Sequence, residues 1–254
     1  MLTCKLCLVN TDLQRSHYIP KGMYKRCMEL EENKRLFPIV VGSKITEQST
    51  SFQAQEMLLC SSCEKKLNKD GEKYFFTLYD ELNRADKVKS IFKDIAPIMG
   101  NLDSQCYNAQ NLNINFTTLT YFALSIFWRG AVCNWKLLRQ STKGIQLGPY
   151  QEPIREFLMD QKHYPKNVFL TMWISDSPPK GNYFTFPYST KEDGYHLHKF
   201  IVSNIYFVMA VGNKVPNYFQ HLCLYSSPLH PILVSNVVYK VMTNNIKTLY
   251  HMMN

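Results

Sequence analysis

Two Cys-x-x-Cys pairs, Cys4/Cys7 and Cys60/Cys63, constrain this chain more than any other feature of its sequence. A two-residue gap lets two thiolates on a tight turn grip one tetrahedral ion, and two such pairs complete a four-sulfur zinc site with no open coordination position. The residues between the pairs are rich in Lys, Glu, Ser and Gln and hold few long apolar runs. A segment with so little to bury draws on metal binding to fold. After the second pair, Glu64-Lys65-Lys66-Leu67-Asn68 reads as a helix opening at Cys63. A knuckle, a long insert and a second Cys pair at the head of a helix describe a treble clef. A structural Zn²⁺ on Cys4, Cys7, Cys60 and Cys63 is therefore expected.

The insert carries Ser16-His17-Tyr18-Ile19-Pro20, and the second pair stands within Gln55-Glu56-Met57-Leu58-Leu59-Cys60-Ser61-Ser62-Cys63-Glu64. In that order and setting, the N-terminal part of the chain resembles the zinc-stabilised branch of the HNH (His-Asn-His) endonuclease superfamily. That branch shows an Asp-His-Ile-x-Pro-like segment and, later, an Asn followed by Leu-Cys-x-x-Cys-His. The chain departs from the pattern in three places. Ser16 stands for the Asp, Gln55 for the Asn, and Glu64 for the final His. It is similar in these respects to a bacterial group of HNH-like proteins with a Ser-His and Leu-Cys-x-x-Cys-Glu combination. The resemblance ends soon after the metal-site helix.

The resemblance implies hydrolysis of phosphodiester bonds in DNA, in a bacterial or phage setting such as antiviral defence. It places His17 as the base that takes a proton from the attacking water, with Gln55 orienting its ring. Ser16 and Glu64 fall where the family contacts a catalytic Mg²⁺ or Mn²⁺. A carboxylate suits a hard cation better than imidazole does, whereas Ser is a weaker ligand than Asp. Asn68, four residues beyond Glu64, shares its helix face and can add an amide oxygen. The competing expectation is a non-catalytic zinc module that binds nucleic acid or a protein through a degenerate site.

A net charge of +9 favours contact with a polyanion, most simply nucleic acid, and 45% hydrophobic residues suffice for a packed core. Met1 is followed at once by the first Cys pair with no basic-then-apolar leader, so a reducing, cytoplasmic setting is expected rather than a disulfide scaffold. Cys27, Cys106, Cys133 and Cys223 belong to no motif and read as small buried residues. The most apolar stretch, Thr118 to Trp135, contains Arg129 and Asn134 and is no membrane span.

The expected fold class is α+β, with residues 1–100 forming the treble-clef (ββα-metal-like) zinc domain and a connecting helix. An Asn-rich linker at 101–115 and an α+β domain over 116–254 follow, the latter a possible contact for a second copy or a protein partner. Apolar spacing predicts helices over Lys21–Arg35, Glu72–Ile95, Phe116–Gln140, Pro153–Asp160 and Val237–Met252. Strands are predicted at Phe37–Val41, Val168–Ile174 and Tyr218–Tyr225, with a hairpin turning at Ser203-Asn204. His196 and His198 share one strand face and read as hydrogen-bonding residues rather than metal ligands. Arg129, in a buried helix, needs a partner: an internal carboxylate, or a phosphate at a pocket.

Overall fold

The computed structural model describes residues 2–29, 35–36, 48–49, 53–82, 85–100, 104–137, 140–142, 144–176 and 184–235. Strands β1 (Leu2–Thr3) and β2 (Asn10–Thr11) pair antiparallel and close the loop that holds Cys4 and Cys7. Strand β3 (Leu13–His17) leads through Pro20 into helix α1 (Lys21–Glu29), whose first turn is tied by Met23 N–H to Pro20 O. The pair β4 (Arg35–Leu36) and β5 (Gln48–Ser49) follows. Strand β6 (Gln55–Cys60) then pairs antiparallel with β3, setting His17 opposite Gln55 and Leu13 opposite Cys60.

Helix α2 (Ser61–Leu67) starts with Cys60 as its N-cap, and a single π turn, Asn68–Glu72, joins it to α3 (Lys73–Leu82). Helix α4 (Ala85–Phe92) carries Val88 and Phe92 inwards. Strands β7 (Pro97–Gly100) and β8 (Ser104–Tyr107) lead to α5 (Phe116–Val132), capped by Asn115, whose side chain accepts from Thr118 N–H. An apolar surface all round requires burial on every side, and α5 runs through the middle of the molecule, buried from Leu119 to Gly130. Phe122 stacks on Phe75 of α3 at 3.8 Å, and Gly71 lets the π turn approach the Phe122 backbone. Beyond α5 come the short pair β9 (Trp135–Leu137) and β10 (Gln140–Thr142), then α6 (Gln151–Leu158).

The remaining strands are β11 (Val168–Ile174), β12 (Tyr188–Glu192), β13 (Tyr195–Val202), β14 (Ile205–Gly212) and β15 (Ile232–Ser235). With β7 and β8 they form a seven-stranded sheet in the order β12-β13-β14-β11-β15-β8-β7. Neighbours run antiparallel except β11 and β15, which are parallel. Phe200 and Phe207 face α5, while Val208, Ala210 and Phe219 form a small cluster on the other side. One hydrophobic cluster extends from Cys4 and Leu6 through α5 to Ile232.

The chain is α+β, as expected, and the β13–β14 turn falls on Ser203 and Asn204. Elsewhere the structure departs from the sequence expectation. Helix α2 opens at Ser61, two residues before Cys63, because Cys60 already ends the strand. Over the stretch expected as one helix, Glu72–Ile95, Glu72 closes the π turn and Lys73–Leu82 and Ala85–Phe92 are helical, residues 83–84 lying outside the described residues. The central helix stops at Val132: Cys133 is extended, and Trp135 turns back to stack on Tyr18 at 4.6 Å and donate to Arg129 O. Tyr218–Tyr225 forms no strand; α7 (Tyr218–His221) and turns replace it, with Phe219 N–H bonded to Pro216 O. Within the stretch expected as a linker, Ser104–Tyr107 joins the sheet. Of the helix expected over Lys21–Arg35, Lys21–Glu29 is helical and Arg35 stands in β4, while residues 30–34, Phe37–Val41 and Val237–Met252 lie outside the described residues.

Candidate metal centre and adjoining cavity

The sulfur atoms of Cys4, Cys7, Cys60 and Cys63 all lie within 4.8 Å of one another. Local backbone bonds build this cluster. Leu8 N–H reaches Cys4 O, Cys4 N–H reaches Val9 O, and Leu8 takes φ 63° at the knuckle's tip. Lys5 N–H to Leu58 O then ties the knuckle to β6, which delivers the second pair. Tetrahedral coordination with Zn–S near 2.3 Å puts sulfurs about 3.8 Å apart. Cys7 Sγ and Cys60 Sγ already stand at that spacing, 3.9 Å, and the whole set within 4.8 Å is compatible with a four-sulfur ion. Burial raises the Cys60 thiol, but hydrogen bonds from Ser62 and from the Cys63 backbone outweigh it and bring the pKa down to about 6. Burial raises Cys63, with neighbouring Cys60 adding to the effect. One thiolate thus forms readily and further ones repel it; a divalent cation removes that repulsion.

A cavity of about 340 Å³ opens beside the cluster. The end of β3 and the start of α1 supply His17, Pro20 and Lys21. Helix α2 supplies Glu64 and Lys65, the π turn supplies Asn68 and Glu72, and α5 supplies Arg129. His17 Nε2 lies 2.6 Å from Gln53 Oε1 and 2.8 Å from Gln55 Nε2. One nitrogen cannot donate and accept at once. With Nε2 protonated, His17 donates to Gln53 and Nδ1 keeps its lone pair. Burial lowers the His17 pKa, against the Gln53 hydrogen bond and the Glu64 charge, with Arg129 and Lys21 lowering it further. The ring is therefore neutral near pH 7 and can accept a proton.

Of the residues expected to act together, His17, Glu64 and Asn68 line this one cavity, and Gln55 stands beside the His17 ring, its Nε2 2.8 Å from His17 Nε2. Glu64 Oε1 is buried without a hydrogen-bond partner. Ser16 lies elsewhere. It is 0% exposed and its hydroxyl accepts from Leu59 N–H at 3.1 Å. Consecutive strand residues point to opposite faces, so a cavity that receives His17 turns Ser16 away.

Glu72, Gln53, Lys21 and Lys65 were not expected at the site. Glu64, Asn68 and Glu72 recur every four residues, which is legible as one helical face, but Gly71 reads as an interruption just before the last of them. Arg129 finds the internal carboxylate it needs in Glu72, at 2.6 Å. That contact joins α5 to the π turn, and no local pattern announces it. The His196/His198 rings lie parallel at 6.3 Å, with His198 Nδ1 bonded to Ser189 Oγ. Among the described residues the four-cysteine cluster alone groups metal-binding side chains.

Comparison of the chain with known protein families, with curated proteins and with solved structures finds no match. Among the described residues, no helix is long and apolar enough to cross a membrane.

Proposed function

We propose that the protein is a metal-dependent HNH-like nuclease that hydrolyses phosphodiester bonds in DNA, with a structural zinc on its four cysteines. The observation carrying this reading is the convergence of His17, Glu64 and Asn68 on one cavity against the four-thiolate cluster. His17 takes the proton of the attacking water on Nδ1; Gln53, accepting from Nε2–H, fixes the tautomer that leaves Nδ1 free for that task. Glu64 and the amide oxygen of Asn68 fit a hard cation, since Glu64 Oε1 is a buried carboxylate oxygen that no donor among the described residues satisfies. Glu64 and Asn68 would hold a divalent cation there, which would supply positive charge for the departing oxygen. Lys21 and Lys65 at the rim, and the net charge of +9, favour an anionic strand. The setting that the resemblance implies is defence against foreign DNA.

Cleavage of plasmid DNA with added Mg²⁺ or Mn²⁺ tests the reading. His17→Ala and Glu64→Gln should keep zinc and fold yet lose roughly a hundredfold or more in rate, the usual range for a positioned proton acceptor. Wild-type protein that binds DNA but cleaves none, or His17→Ala that cleaves normally, would replace this reading with that of a non-catalytic binding module.

A further inference from the structure

Arg129 is 1% exposed, yet it forms part of the cavity wall. Its Nη2 donates to Glu72 Oε1, while its Nε is buried with no hydrogen-bond partner among the described residues. Buried arginine normally meets a carboxylate through two parallel bonds. Here only one such bond is formed, and Glu72 Oε2 accepts from Asn68 Nδ2 at 3.3 Å. The same chain shows what a fully committed arginine looks like. Arg155 uses Nε and Nη2 on Glu152 and Nη1 on Leu6 O. Arg26 likewise gives two nitrogens to Asp80. Of these three arginines Arg129 alone has a buried nitrogen left unbonded among the described residues, and its side chain lines the cavity.

The surroundings say what would use that nitrogen. Lys21 and Lys65 stand exposed at the cavity rim, with no ion-pair partner among the described residues. Lys21, Asn68 and Glu72 also line a second groove of about 360 Å³, which continues past Lys73 and Thr77. Two concave surfaces therefore meet at Lys21, with a lysine further along each and a half-satisfied guanidinium in the wall. That is the arrangement a chain of phosphates needs: a fork for one oxyanion and flexible cations for its neighbours.

We propose that Arg129, with Lys21 and Lys65, is an oxyanion site that takes a non-bridging phosphate oxygen of a nucleic-acid strand, the next phosphate lying along the groove toward Lys73. The identity of the strand rests on the nuclease reading; the oxyanion chemistry does not. Glu72 acts as a positioning residue, holding Nη2 so that the other donors stay free.

Binding of a short fluorescent DNA duplex, with Mg²⁺ present, tests this in a His17→Ala background that prevents cleavage. Adding Arg129→Lys preserves a cation for Glu72 but deletes the fork, and should weaken binding about tenfold or more with zinc content and melting temperature retained. Lys21→Ala should reduce the slope of log affinity against log salt by about 0.9, one duplex phosphate contact. Inorganic phosphate should compete for the duplex in the parent protein and much less in the Arg129→Lys form. A folded, zinc-loaded Arg129→Lys variant that binds within twofold of its parent overturns the proposal. If that variant does not fold, Arg129→Met with Glu72→Leu, which removes both buried charges together, is judged by the same thresholds. The two readings fail separately. Arginine-dependent binding without wild-type cleavage would leave the oxyanion site standing and the nuclease reading fallen; cleavage unaffected by Arg129→Lys would do the reverse.

Discussion

His198 is fully buried in β13, with Nδ1 2.7 Å from Ser189 Oγ and Nε2 lacking any partner. Burial, and then the charge of His196, lowers its pKa from 6.5 to about 4. The folded chain therefore resists a proton that the unfolded chain accepts. Stability is present in full above about pH 6.5, is lost as pH falls toward 4, and declines no further below it, for a total of up to about 3 kcal/mol. His198→Gln should flatten this window, so urea midpoints taken at about pH 7.5 and about pH 4.5 should move closer together than in wild type. Equal pH dependence in both proteins would remove His198 from the account. Sequence spacing is informative at this scale where chemistry is local. The His196/His198 pair, the four cysteines, and Glu64 with Asn68 are all placed by counting residues. Ser16 was misplaced by resemblance although strand alternation would have corrected it, and Glu72 with Arg129 required the fold, because their contact spans 57 residues of chain.

The π turn between α2 and α3 is the element on which the cavity depends. One turn widened at Asn68–Glu72 keeps Asn68 and Glu72 on the cavity side while α3 presents Phe75, Leu78 and Leu82 to the core. Gly71 permits it. A Cβ there would lie 3.0 Å from the Tyr121 ring and 3.1 Å from the Phe122 Cα. Alanine normally gains up to about 1 kcal/mol over glycine in a helix. Here the opposing wall is backbone of the buried α5 and cannot give way, so Gly71→Ala should destabilise by about 1–3 kcal/mol. An unchanged or raised denaturation midpoint would mean that α5 yields. The widened turn is not visible in the sequence, since the apolar spacing of Phe75, Leu78 and Leu82 looks the same after an ordinary α-turn. Helix α3 is visible because it buries one continuous stripe, and α5 because it is apolar all round.

Across the whole molecule, side chains from distant parts of the chain converge on the metal-binding end. Arg155 of α6 donates to Leu6 O in the knuckle, Lys66 of α2 bridges Asp70 and Asp160, and Tyr18 stacks on Trp135. These contacts tie the knuckle to α6 and the cavity to α5, so metal loss should be felt far from the sulfurs. Purified protein should carry one zinc, and a chelator should lower its melting temperature by several degrees or more, with recovery on adding zinc. Protein that melts identically after complete metal removal would show that the sulfurs contribute nothing to the fold. The closeness of those sulfurs has one more consequence, which concerns handling. Cys7 and Cys60, 3.9 Å apart, need little movement to form a covalent bridge once no ion separates them. In air, then, demetallation should become a one-way step. A preparation stripped without reductant would refuse zinc until its disulfides were opened, and its history rather than its sequence would decide whether it worked.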